Sequence, residues 1–229
     1  MKHSVFHVLK GGVLASSVLI CAAANAADPQ VEALLAKMRS TYKATKTATF
    51  TTESHVNGQV MTISFAFISP TKIRADITVP RKGGKPVKAV EVTDGKTIHL
   101  SVPGQTSGGD KAYTPDSFTG PLGVNLESIC FFDYERQLST APGKNMATST
   151  FKLQTNQDWD GKKWTVLQET APKEKVVCSY YVDPKTLYIW RTVVKAMPGG
   201  PKNAEMDCRI MKMSPNAKVD PGSFGIVKI

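Results

Sequence analysis

The chain has 229 residues, 41% of them apolar, and its 29 lysines and arginines against 19 acids give a formal charge of +10. That length suits one domain, because all-β sandwiches and barrels reach ~200–250 residues as a single unit. No stretch beyond residue 26 has the ~20 apolar residues of a membrane-spanning helix, and the charge surplus fits anionic lipid head groups, acidic partners, acidic glycans or simply a solvated surface.

Residues 1–26 read as a signal peptide. Lys2 and Lys10 precede an apolar stretch at 13–23, and Ala24-Asn25-Ala26 supplies the small-x-small site that a signal peptidase accepts. The apolar stretch is too short for a permanent membrane helix. The expected mature unit is a single domain over 27–229, located in the periplasm, with a formal charge of +8. That address excludes nucleic acid, nucleotide cofactors and cytosolic partners. Ile20 stands where a lipoprotein signal needs a small residue before its cysteine, so Cys21 reads as part of the leader's apolar core.

Asp28-Pro29 opens an amphipathic helix over 29–44, an N-cap followed by proline at the first helical position. Its apolar residues Val31, Leu34, Leu35, Met38 and Tyr42 follow the i, i+3, i+4, i+7 spacing. The period then changes to two. Met61, Ile63, Phe65 and Phe67 alternate with Thr62, Ser64 and Ala66. Ile73, Ala75, Ile77 and Val79 alternate with Lys72, Arg74, Asp76 and Thr78. Such runs predict strands with one apolar and one polar face. Asn57-Gly58, Asp94-Gly95 and Asp160-Gly161 mark hairpins, since both central positions of the tight turn need positive φ. Asp183-Pro184-Lys185-Thr186 marks another turn. With 96–102, 150–158, 164–170, 176–182, 187–196, 205–213 and a tail at 223–228, the pattern predicts about ten or eleven antiparallel strands in one long meander.

Residues 103–149 interrupt this with Pro103-Gly104, Gly108-Gly109, Pro115, Gly120-Pro121 and Pro142-Gly143 around one apolar segment, 122–138. That segment reads as one or two short helices, with a strand at 129–134 as the alternative. Placed over the apolar face with the first helix, it predicts a mainly β (α+β) fold: a strongly curved, unclosed antiparallel barrel of about 10–11 strands with a helical lid. A sheet too curved to close leaves a cavity beneath its helices.

Catalytic signatures are missing. There is no Gly-x-Ser-x-Gly elbow, no His-Glu-x-x-His and no phosphate loop. His55 and His99 read as strand residues, and Asp158 and Asp160 as turn formers rather than a carboxylate pair. Cys130, Cys178 and Cys208 lack Cys-x-x-Cys spacing, which argues against zinc and redox roles. In an oxidising compartment they imply one disulfide and one thiol, with three pairings open. If 175–213 is a three-strand meander, Cys178 and Cys208 lie two strands or ~9–10 Å apart, beyond disulfide range, which favours a bridge through Cys130. No enzyme activity, cofactor or metal is expected. Arg81, Lys82, Lys85 and Lys88 put four positive charges in eight residues, a contact for head groups or an acidic partner, or a solvated hairpin end.

Taken in order, the amphipathic helix, Ser69-Pro70-Thr71-Lys72-Ile73-Arg74, Asp94-Gly95-Lys96, Asp160-Gly161-Lys162-Lys163-Trp164, Asp183-Pro184-Lys185-Thr186 and Lys218-Val219-Asp220-Pro221-Gly222-Ser223-Phe224 resemble the LolA/LolB-like periplasmic lipoprotein-carrier superfamily. The resemblance covers the expected mature chain and implies an unclosed curved sheet of about eleven strands under a helical lid, with acyl chains or other lipophiles in the cavity. Ser69 stands where the carriers have arginine before the proline, and Ala75 where an aromatic residue often follows. On this reading the cavity is lined by Phe50, Met61, Ile63, Phe65, Phe67, Ile73, Ile77, Trp164 and Trp190, with Phe131 and Phe132 from the lid. The function implied is a non-catalytic periplasmic carrier of a lipophilic ligand such as lipoprotein acyl chains. The alternative is an interaction or sensor domain that contacts an envelope protein or an anionic membrane surface, and a hydrolase comes third.

Overall fold

The computed structural model describes residues 28–56, 58–68, 72–81, 83–103, 105–112, 149–173, 175–201 and 205–225. The leader, the apolar segment 122–138 with Cys130, Phe131 and Phe132, and Lys82 lie outside the described residues.

The first helix, α1, spans Pro29–Ala44. Asp28 caps it by accepting the Gln30 N–H at 2.9 Å, and Pro29 takes the first turn, where a missing N–H costs nothing. Val31, Leu35, Met38 and Tyr42 form its buried stripe. The chain leaves the helix at Thr45, whose N–H bonds back to Thr41 and Tyr42.

Eleven strands follow: β1 Thr47–Val56, β2 Gln59–Ile68, β3 Lys72–Val79, β4 Val87–Thr93, β5 Thr97–Val102, β6 Gln105–Ala112, β7 Thr150–Trp159, β8 Lys162–Ala171, β9 Val176–Val182, β10 Ile189–Ala196 and β11 Met206–Pro215. They form one antiparallel sheet in the order β6-β5-β4-β3-β2-β1-β11-β10-β9-β8-β7. The sheet is therefore two meanders joined where β11 pairs with β1, rather than one continuous meander. β6 and β7, successive in sequence, form its two edges. The turns fall where expected, with Gly58 and Gly95 at φ of 76° and 92°; Asp160 and Gly161 both take positive φ, 52° and 67°, whereas Asp94 does not and Asn57 lies outside the described residues.

Two segments differ from the sequence reading. β6 is a strand where an irregular connection was expected. Its Thr-Ser-Gly-Gly run has little strand propensity, and the backbone ladder to β5 holds it at the sheet edge, with a register shift between Thr97 and His99. Where a strand was expected over 223–228, the chain forms a short 3-10 helix, Pro221–Phe224, and residues 226–228 lie outside the described residues. Asp220 accepts the Gly222 N–H at 2.9 Å and Pro221 fixes the first turn, so local capping wins over the alternating pattern.

One face of the sheet carries the main core and is covered by α1. The other carries a small cluster in which Phe224 packs on Val90 and Val92, beside Ala66, Ile68 and Val219. Arg74 ties that tail down by donating to the Ser223 carbonyl at 3.0 Å.

Candidate functional site: the helix-covered face of the sheet

Strand register decides which side chains meet. Phe50, Phe65, Ala75, Glu91 and Leu100 stand opposite one another across β1 to β5. Thr52, Ile63, Ile77 and Ala89 form the next row. Phe67, Ile73 and Thr93 form a third. The structure thus brings Phe50, Met61, Ile63, Phe65, Phe67, Ile73 and Ile77 onto one face, none more than 3% exposed, together with Val31, Leu35, Met38 and Tyr42 of α1. Phe50 stacks on Phe65 with centroids 4.7 Å apart. These side chains and the buried stripe of α1 belong to one packed core.

The cover is fastened at one end. Tyr42 Oη accepts the Ile189 backbone N–H at 3.0 Å, and its ring meets Tyr188 edge-on at 5.7 Å. The Thr45 hydroxyl donates to the Thr41 carbonyl at 3.0 Å and lies 2.9 Å from the Tyr188 hydroxyl. With its one proton committed to Thr41, Thr45 receives the Tyr188 proton. Burial pushes the Tyr42 phenol above its ordinary range, so it stays neutral.

Across the β1–β11 seam the same face continues as Ser54, Cys208, Thr192, Tyr180 and Leu167. The Ser54 hydroxyl donates to Cys208 Sγ at 3.2 Å, and burial pushes the Cys208 thiol up to about 12. Thr52 Oγ1 lies beside the same sulfur without hydrogen-bond geometry to it. Tyr180 Oη donates to Glu169 Oε2 at 2.8 Å. Cys178 and Cys208 stand on β9 and β11 with β10 between them, as the meander spacing implied. Trp190, half-buried, packs against this core.

Trp164 is a correction. It belongs to the opposite face, where its indole N–H donates to the Trp159 carbonyl at 2.9 Å and its ring lies 5.0 Å from that of Trp159. Trp159 meets Tyr181 at 5.5 Å, and the Arg191 guanidinium lies over both rings at 5.2 and 5.0 Å. In β8 both Val166 and Leu167 are buried, so alternation alone does not choose a face; the pairing of Leu167 with Tyr180 does, and it turns Trp164 away.

The outer face also carries a charge cluster. Arg191 and Arg209 stand directly opposite each other, and Asp207 binds both: Arg191 Nε and Nη2 donate at 2.8 Å each, and Arg209 Nη2 at 2.9 Å. Burial opposes the Asp207 charge, yet the two guanidiniums outweigh it and hold its pKa down to about 2. His55 and Glu53 pair at 2.9 Å. Of the basic loop, Arg81, Lys85 and Lys88 are exposed at the β3–β4 hairpin. Among the described residues, no group of three or more His, Cys, Asp or Glu is placed to hold a metal ion.

The polar members of the covered face, Thr52, Ser54, Glu91, Glu169 and Tyr180, were not among the sequence candidates. For Thr52 and Ser54 the signal was present, since they continue the phase of Phe50. Glu91 sits in Ala89-Val90-Glu91-Val92, a run buried on both sides that hides any alternation.

No protein-family model matches this chain, and no curated protein matches it either. Among solved structures it is similar to MucB, with a TM-score of 0.54 at 12% identity over 87% of this chain. It is also similar to the Pseudomonas aeruginosa MucA/MucB complex structure, at 0.50 and 12% over 86%. A protein domain assigned to outer membrane lipoprotein sorting, from Vibrio parahaemolyticus, matches at 0.44 and 9% over 83% of this chain and 94% of its own. The match spans only 64% of the MucB chain and 61% of the chain matched in the complex. The likeness to MucB shows the fold, and the expectation of a LolA-like, unclosed antiparallel sheet under a helix holds.

Proposed function

We propose that this chain is a non-catalytic carrier or binding protein of the periplasm, a single domain over residues 27–229, that holds a lipophilic ligand such as lipoprotein acyl chains against the face beneath α1. The observation that carries the reading is the continuous apolar floor from Phe50 to Ile77, which packs in one core with the amphipathic helix α1, itself fastened through Tyr42. Shielding an acyl chain there is worth ~0.8 kcal/mol per methylene. That energy offsets displacement of the cover and needs no catalytic group. Native mass spectrometry of protein purified from its own cell envelope tests the reading. Co-purified lipid or lipopeptide supports it, and a bare polypeptide mass after gentle, detergent-free purification counts against it.

A second reading is an interaction domain. It is favoured by the complex of MucB, a protein of similar structure, with MucA, and by the exposed Arg81, Lys85 and Lys88, which suit an acidic envelope protein or an anionic membrane surface. Capture of one envelope protein by ligand-free chain, lost on neutralising Arg81, Lys82, Lys85 and Lys88, separates it from the carrier.

A further inference from the structure

The two ends of the sheet make their turns from different residues. Strand register puts the β4–β5, β7–β8 and β9–β10 turns at one end, where α1 is also fastened to Ile189. The β3–β4, β8–β9 and β10–β11 connections stand at the other. Turns at the fastened end are built on aspartate. Asp94 accepts the backbone N–H groups of Lys96 and Thr97, Asp183 accepts those of Lys185 and Thr186, and Asp160 opens the third. Each turn thus brings its own negative charge. Connections at the far end use glycine and proline instead, with Gly83 and Gly199 at φ of 73° each.

The far end is therefore left basic. Its segments 80–88, 172–175 and 195–205 carry eight cations and two acids. The whole β6–β7 connection, 113–149, has four acids and two cations, too few to cancel that excess wherever it lies. Arg81, Lys85, Lys88, Lys173, Lys175 and Lys195 are all exposed. Among the described residues none of them forms an ion pair, whereas Arg74, Lys163, Arg191 and Arg209 on the strands do. The Lys175 ammonium donates to the Gly199 carbonyl at 3.2 Å and the Met197 N–H to the Lys175 carbonyl at 2.8 Å, which joins two of the connections into one unit.

Three steps of the sheet separate β3 from β11 and five separate it from β9, so the cations spread over ~14–24 Å along the sheet. That is longer than a single head group. The exposed large apolar residues among the described ones, Val60 and Met211, stand on strands and not in these loops. A protein partner is normally anchored by large side chains buried at the centre of its interface. An anionic bilayer needs only an array of charges.

We propose that this basic rim docks reversibly on an anionic phospholipid bilayer. The proposal rests on the interaction reading and chooses the membrane surface as its partner. The β3–β4 hairpin and the joined β8–β9 and β10–β11 connections touch the bilayer together, and the fastened end of α1 lies away from it.

The test is co-sedimentation of protein purified from the cell envelope with vesicles of phosphatidylcholine, alone or mixed with phosphatidylglycerol. Binding should need phosphatidylglycerol and fade as salt rises above ~0.1 M, where the screening length falls below ~10 Å. Each neutralised cation should weaken it ~5-fold at low salt. Two triple variants, Arg81→Gln with Lys85→Gln and Lys88→Gln, and Lys173→Gln with Lys175→Gln and Lys195→Gln, should each lose most of the binding. Lys96→Gln with Lys162→Gln and Lys185→Gln, at the fastened end, should keep it. Equal losses in all three variants would mean attraction by net charge alone and overturn the proposal. An effect confined to one of the first two variants, or no binding to anionic vesicles, overturns it as well. Capture of an envelope protein through the hairpin would then leave the interaction reading standing, and failure of capture too overturns both.

Discussion

Tyr42 Oη receives the backbone N–H of Ile189 at 3.0 Å, so the end of α1 is fixed to the start of β10 by a bond between a side chain and the main chain. The partners are 147 residues apart in sequence, which makes this contact tertiary rather than local.

Tyr42→Phe keeps the ring against Tyr188 but leaves the Ile189 N–H without its acceptor. Loss of one partner in a buried pair costs ~1–3 kcal/mol. Urea unfolding should show a lower midpoint with an unchanged slope. If α1 is the gate of a binding site, uptake of an acyl probe should also speed up in this variant. An unchanged midpoint would refute the tether.

Asp207 sets the acid response. Its folded pKa of about 2 lies below the ordinary 3.8, so the clamp contributes fully above pH ~4 and is lost as pH falls toward 2. Partial exposure of the cluster limits the contribution to ~1–2 kcal/mol. Stability measured by urea midpoints should stay level down to pH 4 and drop below it. Asp207→Asn should flatten that drop and lower stability at pH 7, because Arg191 and Arg209 then face each other uncompensated.

Cys208 should resist alkylation. Burial holds its thiol up to about 12, so little thiolate exists at pH 8 in the folded protein. Its modification by iodoacetamide, followed by mass spectrometry, should track global unfolding. Rapid labelling in native buffer would show that the seam opens locally.

Among the three tryptophans, only Trp190 packs against the helix-covered core, while Trp159 and Trp164 meet at a tilt on the outer face. A brominated acyl probe bound beneath α1 should quench Trp190 alone. Trp190→Phe should abolish the quenching, and Trp164→Phe should preserve it.

Much of this was legible in the chain itself. Asp28-Pro29 and the Val31–Tyr42 spacing located α1 to the residue, and the alternation in β2 and β3 separated the two faces, because the bulky residues Met61, Ile63, Phe65, Phe67, Ile73 and Ile77 share one phase while Thr62, Ser64, Lys72, Arg74, Asp76 and Thr78 fall in the other. Legibility failed where both phases were apolar. Trp164 and Glu91 sit in such strands, and their faces were settled by cross-strand partners far away in sequence. β6 was hidden for another reason, since its Gln-Thr-Ser-Gly-Gly-Asp sequence carries no apolar alternation to read. The pairing of β11 with β1 left no local trace, as register between distant strands is written in neither one.

That pairing has a consequence for the order of assembly. Ala48–Val56 can meet Met206–Pro215 only after nearly the whole chain has been delivered. Until then each meander carries one uncovered ladder, the kind of edge that recruits foreign strands. Non-local pairing of this sort is slow because loop closure precedes its reward. A chain emerging N-terminus first would therefore complete its β1–β5 meander early and remain vulnerable to misassociation until its last long strand docked. Truncation before residue 206 should yield an aggregation-prone half rather than a smaller working protein.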